Sequence, residues 1–167
     1  MSKVEITEVP CIEIYTDGSC HTQHCIGGWV ALLFIGKDKI VLSGKELNTT
    51  HNRMEITAVI KAIEYVREMN LAPSGIKIYS DSQYVIGLTA RKEKLSALNF
   101  ETKKGNEIRN ADLVKELLKL GECMCLQFVK VKAHQKKTDM PNYNNEADKF
   151  SRKIVREAVG LYLDENN

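Results

Sequence analysis

The sequence predicts an α/β fold built on a mixed sheet, and three observations carry that expectation. Two stretches, Glu13-Ile14-Tyr15-Thr16-Asp17 and Lys77-Ile78-Tyr79-Ser80-Asp81, repeat one strand-like alternation and both stop on an aspartate. Between them, residues 52–70 place Ile56, Val59, Ile60, Ile63 and Val66 at the spacing of an amphipathic helix. A strand, a helix and a second strand make a crossover, which returns the second strand parallel to the first. Ahead of the helix, residues 27–35 and 39–44 read as an antiparallel hairpin turning at Gly36-Lys37-Asp38.

In chain order, residues 11–17 read as the opening strand and the hairpin supplies the second and third. Asn70 and Pro73 end the long helix. Residues 76–81 are the fourth strand, 82–88 a short helix, 112–120 a further helix and 126–132 a fifth strand. A final helix over 144–162 carries Ala147, Phe150, Ile154 and Val155 on one side. Residues 90–106 are polar and basic, with Leu95, Leu98 and Phe100 too sparse to define a buried face. The expected organisation is a single domain over 1–167, with 1–10 as a short extension and 163–167 as a flexible tail.

At 167 residues and 43% hydrophobic content the chain can bury a sizeable core. Lys3, Glu5 and Glu8 interrupt any apolar leader, and no run approaches a membrane span, so a cytoplasmic protein without membrane attachment is expected. Five unevenly placed cysteines suit a reducing compartment better than a disulfide framework. The net charge is only +2, but its distribution is uneven. Arg91, Lys92, Lys94, Lys103, Lys104 and Arg109 crowd one segment, while Lys130, Lys132, Lys136 and Lys137 flank His134. Two such clusters make nucleic acid a candidate partner, the alternative being a solvated face.

Side chains alternate along a strand, so Asp17 shares a face with Tyr15, and Asp81 with Tyr79. Adjacent strands in register would bring the two carboxylates together. Like charges that close raise each other's pKa and cost stability unless a cation neutralises them. The pair therefore suggests a metal site, with helix or turn capping as the alternative for each aspartate taken singly.

At five places the chain matches motifs of one family in family order: Tyr15-Thr16-Asp17-Gly18-Ser19-Cys20, Asn52-Arg53-Met54-Glu55, Ser80-Asp81-Ser82-Gln83-Tyr84, Asn110-Ala111-Asp112-Leu113 and Asn144-Asn145-Glu146-Ala147-Asp148. Over nearly its whole length it resembles type-one ribonuclease H. The resemblance implies an RNase H-like five-stranded mixed sheet flanked by helices, and an endoribonuclease hydrolysing the RNA strand of RNA/DNA hybrids. It also implies four metal-binding carboxylates, falling here on Asp17, Glu55, Asp81 and Asp148. Asn52 and Gln83 match positions that contact the substrate near the cleavage site. Thr50 and Asn110 match positions that help hold a DNA-strand phosphate. His134, in a loop, suits proton transfer or product release. Residues 90–105 correspond to a basic protrusion that grips the DNA strand, making Lys92, Lys94, Lys103 and Lys104 candidate phosphate contacts.

The chemistry is consistent with that reading. Phosphodiester hydrolysis needs an activated water and neutralisation of the leaving oxygen, which two divalent ions supply. Acidic ligands without a Cys/His cage suit Mg²⁺, with Mn²⁺ as the second choice. Selection of RNA must come from the 2′-hydroxyl. Each residue also has a plainer role open to it. Glu55 and Asn52 could form a helix-capping pair, Asp148 could be half of a surface ion pair with Arg152, and Gln83 could merely decorate a helix. Asn110 could be an N-cap, Thr50 a loop end and His134 a solvated histidine.

Four departures from the family pattern stand out. His134 leads into a long, lysine-rich Gln135-Lys136-Lys137-Thr138-Asp139-Met140-Pro141 segment. His51 and Gln23 stand where asparagines are common, and the protrusion lacks tryptophan, since the sole Trp29 is expected in the core. Cys20-His21-Thr22-Gln23-His24-Cys25 contains zinc-ligand residue types too closely spaced for easy tetrahedral geometry. Cys123 and Cys125 are expected as small apolar residues on one side of the fifth strand. The expected protein is a monomeric, hybrid-specific nuclease. A catalytically silent hybrid- or duplex-binding module and a DNA-acting nuclease of the same fold are the alternatives.

Overall fold

In the computed structural model, residues 7–132 and 141–166 are described. The elements in order are β1 (Thr7–Val9), β2 (Ile12–His21), β3 (Ile26–Ile35), β4 (Asp38–Glu46), α1 (His51–Glu68), β5 (Leu71–Pro73), β6 (Ile76–Ser80), α2 (Gln83–Ala90), α3 (Lys92–Ala97), α4 (Ala111–Glu122), β7 (Leu126–Lys130) and α5 (Tyr143–Glu165). The five-stranded sheet has the order β4-β3-β2-β6-β7. Its β2–β3 and β3–β4 pairs are antiparallel, and its β2–β6 and β6–β7 pairs are parallel. This is the mixed sheet flanked by helices that the sequence predicts.

The alternation in β2 explains its place at the sheet's centre. Ile12 and Ile14 are fully buried in the larger core, which also takes in Ile56, Val59, Ile60 and Ile63 of α1 and Val114 and Leu117 of α4. Tyr15 belongs to a second cluster with Val30, Leu32, Phe34 and Phe150, where α5 covers the sheet. Burying such side chains contributes roughly 1.5–3 kcal/mol each, so the alternation fixes register as well as position. Two glycines let the helices come close. A Cβ at Gly18 would overlap the backbone of Met54 and Glu55 in α1, and one at Gly28 would sit 2.8 Å from Ile154 Cγ2 and 3.1 Å from the Ser151 carbonyl oxygen in α5.

Several sequence expectations are corrected. The expected extension over 1–10 contains β1, which pairs in parallel with β5 from Thr7↔Leu71 to Val9↔Pro73. Three-residue strands are too short to show a period, and only their pairing defines them. Residues 90–106 include α3, with Leu95 and Phe100 packed against the main core. Helix α5 continues through Glu165, beyond the expected end at 162, although Leu161, Tyr162 and Leu163 are exposed. Trp29 is half-buried rather than core, because its indole lies over Gly44, where a Cβ would come within 2.6 Å of Nε1. Cys123 and Cys125 are exposed and precede β7.

Strand β2 also runs past Asp17 to His21. The aspartate thus lies within a strand rather than at its end. The β2–β6 ladder stops at Tyr15↔Tyr79, whereas β3 continues to pair through His21↔Ile26. Asp17 is therefore anchored on one side and open on the other, where Asp81 follows the end of β6.

Candidate active site

Three carboxylates from three elements meet at the opening beside β2. Asp17 comes from the strand, Glu55 from the second turn of α1, and Asp81 from the junction between β6 and α2. One oxygen of each lies within 4.8 Å of the other two. Asp17 is 4% exposed and Glu55 2%. They line a cavity of about 390 Å³ shared with Asp148, His51 and Arg152. The expected juxtaposition of Asp17 and Asp81 is thus present, and α1 brings Glu55 to it across Gly18.

Crowding and burial leave an electrostatic signature. Burial, followed by the charges of Glu55, Asp81 and Asp148, pushes the Asp17 carboxyl from 3.8 up to about 8, against an opposing hydrogen bond from Ser151. Burial also raises Glu55, while His51 opposes the shift. The His51 imidazole, with Nε2 3.2 Å from Glu55 Oε1, is raised in turn by that hydrogen bond. Among the described residues, Glu55 Oε2 is buried without a hydrogen-bond partner. A concentration of hard oxygen donors with one buried acceptor unsatisfied fits a divalent cation.

Asp148 reaches the cavity from α5 but stands outside the group of three. Its Oδ1 accepts from Arg152 Nε at 2.8 Å, so the ion-pair role is real and coexists with its place at the cavity. The plainer role for Glu55 as the partner of an Asn52 cap is not what forms. The N-cap of α1 is Thr50, whose hydroxyl accepts from Arg53 N–H at 3.3 Å, and Asn52 is exposed on the first turn.

A second polar cluster lies beside the carboxylates in sequence. Arg53 makes a two-pronged pair with Asp112 at 3.0 and 2.9 Å, and its Nη1 lies 3.5 Å from Asn110 Oδ1. Asn110 Nδ2 donates to Tyr84 Oη at 3.2 Å. Asn110 occupies the N-cap position of α4 in the left-handed region at φ 58°, but its side chain makes no capping bond. It is turned toward Arg53 and Tyr84 instead. Gln83 is exposed and accepts from Lys130 Nζ.

In the basic segment, Lys94, Lys103 and Lys104 are exposed, whereas Lys92 pairs with Glu122 at 3.1 Å. His134 and the lysine-rich segment through Met140 lie outside the described residues. The Cys20–Cys25 turn forms no tetrahedral set. Cys20 Sγ faces the Thr49 carbonyl, Cys25 Sγ faces that of Thr22, and the rings of His21 and His24 stack at 4.8 Å.

Sequence reasoning missed His51, Arg53 and Ser151 as members of these clusters. The i,i+4 spacing of His51 and Glu55 was a readable signal, and Arg53 sits inside a motif already singled out. Ser151 had none, since its reach to Asp17 depends on how α5 seats on the sheet.

Comparison with known proteins is consistent with this arrangement. The family model for RNase H matches residues 10–156. The chain is 35% identical over 148 residues to a ribonuclease H of Caldicellulosiruptor saccharolyticus, covering 87% of this chain and 97% of that protein. It is 37% identical over 147 residues to one of Chlorobium luteolum, covering 87% and 95%. The crystal structure of LC9-RNase H1, described as a type 1 RNase H with the type 2 active-site motif, superposes with a TM-score of 0.75 at 19% identity. That match covers 93% of this chain and 75% of that one, and it bears on the fold.

Proposed function

The chain belongs to the ribonuclease H family, whose members hydrolyse the RNA strand of RNA/DNA hybrids, and from that premise we propose that Asp17, Glu55, Asp81 and Asp148 hold the divalent ions on which this activity depends. The observation that carries the assignment is the meeting of three carboxylate oxygens within 4.8 Å around a buried, unsatisfied Glu55 oxygen. Held by these carboxylates, two divalent ions, Mg²⁺ in preference and Mn²⁺ as an alternative, would supply an activated water and neutralise the leaving oxygen. The protein's own groups do the rest. His51 restrains Glu55, and Arg152 fixes Asp148 at the cavity's edge.

Substrate selection falls to the polar groups around the carboxylates. Asn52 and Gln83, both exposed and close in sequence to Glu55 and Asp81, read the 2′-hydroxyl and the adjacent base edges. Thr50, Asn110 and Arg53 receive a phosphate of the DNA strand, and Lys94, Lys103 and Lys104, with a smaller part for the ion-paired Lys92, attract the backbone beyond it. His134 moves a proton or speeds product departure. Residues 1–167 work as one domain and as a monomer. A cytoplasmic location is supported by five unpaired cysteines. No helix among the described residues is long and apolar enough to cross a membrane.

One experiment tests this reading. A single sequence is offered as RNA/DNA, RNA/RNA, DNA/DNA and single-stranded RNA, with Mg²⁺, Mn²⁺ or chelator, to wild type and Asp17→Asn. Cleavage confined to the hybrid's RNA strand, dependent on ion and on Asp17, is expected. Hybrid binding without cleavage would indicate a silent module, and cleavage of DNA/DNA a DNA-acting nuclease. Full cleavage by Asp17→Asn would remove the carboxylates from the mechanism.

A further inference from the structure

Ser151 is fully buried on α5, one turn beyond Asp148. A helical serine ordinarily bonds back to a carbonyl of the preceding turn, and Ser151 Oγ does lie 3.0 Å from the Asp148 carbonyl oxygen. The same hydroxyl also reaches out of its helix and donates to Asp17 Oδ2 on β2. Gly28 permits this, because a Cβ there would press to 3.1 Å from the Ser151 carbonyl and hold α5 away from the sheet. Alanine at position 151 would fill nearly the same space with a higher helix propensity. What serine adds is the bond to Asp17.

We infer that Ser151 is a positioning residue: its hydroxyl sets the rotation of the Asp17 carboxylate and ties α5, and with it Asp148, to the three carboxylates that meet beside β2. The inference rests on the reading of those carboxylates as ion ligands. A carboxylate turns easily about its terminal torsion, whose minima are broad. One oxygen of Asp17 accepts from a donor on the element that carries Asp148, so one hydroxyl restrains both the orientation of Asp17 and the spacing between the two aspartates. A carboxylate oxygen offers more than one lone-pair site, so accepting from Ser151 leaves Asp17 free to face an ion. Hydrogen-bond partners that orient metal-binding side chains typically govern affinity by about 10–100-fold.

The test is calorimetric titration of Mn²⁺ into the protein free of nucleic acid, for wild type, Ser151→Ala, Ser151→Thr, Asp17→Asn and the double variant Ser151→Ala/Asp17→Asn. Ser151→Ala should bind Mn²⁺ about 10–100-fold more weakly, and Ser151→Thr, which restores a hydroxyl, should recover most of the loss. In the Asp17→Asn background, Ser151→Ala should cause little further loss, since the charged ligand whose rotation the hydroxyl sets is already gone. On hybrid substrate, kcat should fall with KM little changed. Should the alanine variant not fold, Ser151→Cys, close in size and a weak donor, carries the same expectation. Mn²⁺ affinity within about twofold of wild type in Ser151→Ala, alongside a clear loss in Asp17→Asn, overturns the inference and leaves the carboxylate reading standing. Wild-type affinity in Asp17→Asn overturns both.

Discussion

Replacing Asp17 with asparagine should stabilise the metal-free protein while abolishing its activity, and the stabilisation should grow with pH. The Asp17 carboxyl is pushed from 3.8 to about 8, chiefly by burial and then by Glu55, Asp81 and Asp148, against the opposing Ser151 hydrogen bond. Below about pH 4 both folded and unfolded chains keep this proton, and the group contributes no pH dependence. Between about pH 4 and pH 8 the unfolded chain releases the proton and the folded one retains it. Stability then falls as pH rises, by about 1.4 kcal/mol per pH unit. Carried to pH 7, that slope sets an upper limit of roughly 4 kcal/mol, and relaxation of the site brings the expected gain for Asp17→Asn nearer to about 2 kcal/mol. Urea unfolding of both proteins in chelator, from about pH 4.5 to about pH 7.5, measures the difference directly. Saturating Mn²⁺ should reverse the order, because an ion bound only by the folded state stabilises wild type. A stability difference independent of pH, or a wild type more stable in chelator near neutrality, would refute the argument from burial and crowding.

Further expectations concern the substrate and the proton. Replacing Lys92, Lys94, Lys103 and Lys104 together with alanine should weaken hybrid binding and flatten its salt dependence, with Lys92 contributing least because Glu122 already engages it; binding measured at several salt concentrations checks this. Arg53→Ala should raise KM about tenfold, equivalent to about 1.4 kcal/mol from one charge-assisted contact, with kcat preserved in steady-state kinetics. His134→Ala should lower kcat by roughly one to three orders of magnitude at nearly constant KM, and a wild-type kcat would remove it from the reaction. Mn²⁺ binding near pH 7 should release protons, seen as a dependence of calorimetric heat on buffer, because Asp17 must ionise to bind.

The parts of this fold that repeat a period were legible in the sequence. The Tyr15 and Tyr79 strands and the Ile56–Val66 face of α1 each impose one, and the aspartates marked where to look. Elements that exist only through a partner were not legible. β1 has three residues and is defined by its ladder with β5, while α3 buries Leu95 and Phe100 within an otherwise polar segment. At the site, chain order revealed the carboxylates but not their supports. Glu55 resembled half of a capping pair until Thr50 proved to be the cap. Ser151 looked like any helical serine because its partner is 134 positions away in the chain. Such contacts follow from the seating of a helix on a sheet, which no local pattern encodes.

The glycine seat beneath α5 also bears on the order in which a chain can acquire its site. Asp17, Glu55 and Asp81 belong to β2, α1 and the β6–α2 junction, all of which precede α5. A nascent chain therefore carries the first three carboxylates before it carries the helix with the fourth and the serine that links them. Until α5 settles over Gly28, any ion at the cluster meets an incomplete set of ligands. Completion of the site is then the same event as closure of the sheet's second face, so an opening of α5 would loosen the ions before it exposed the larger core.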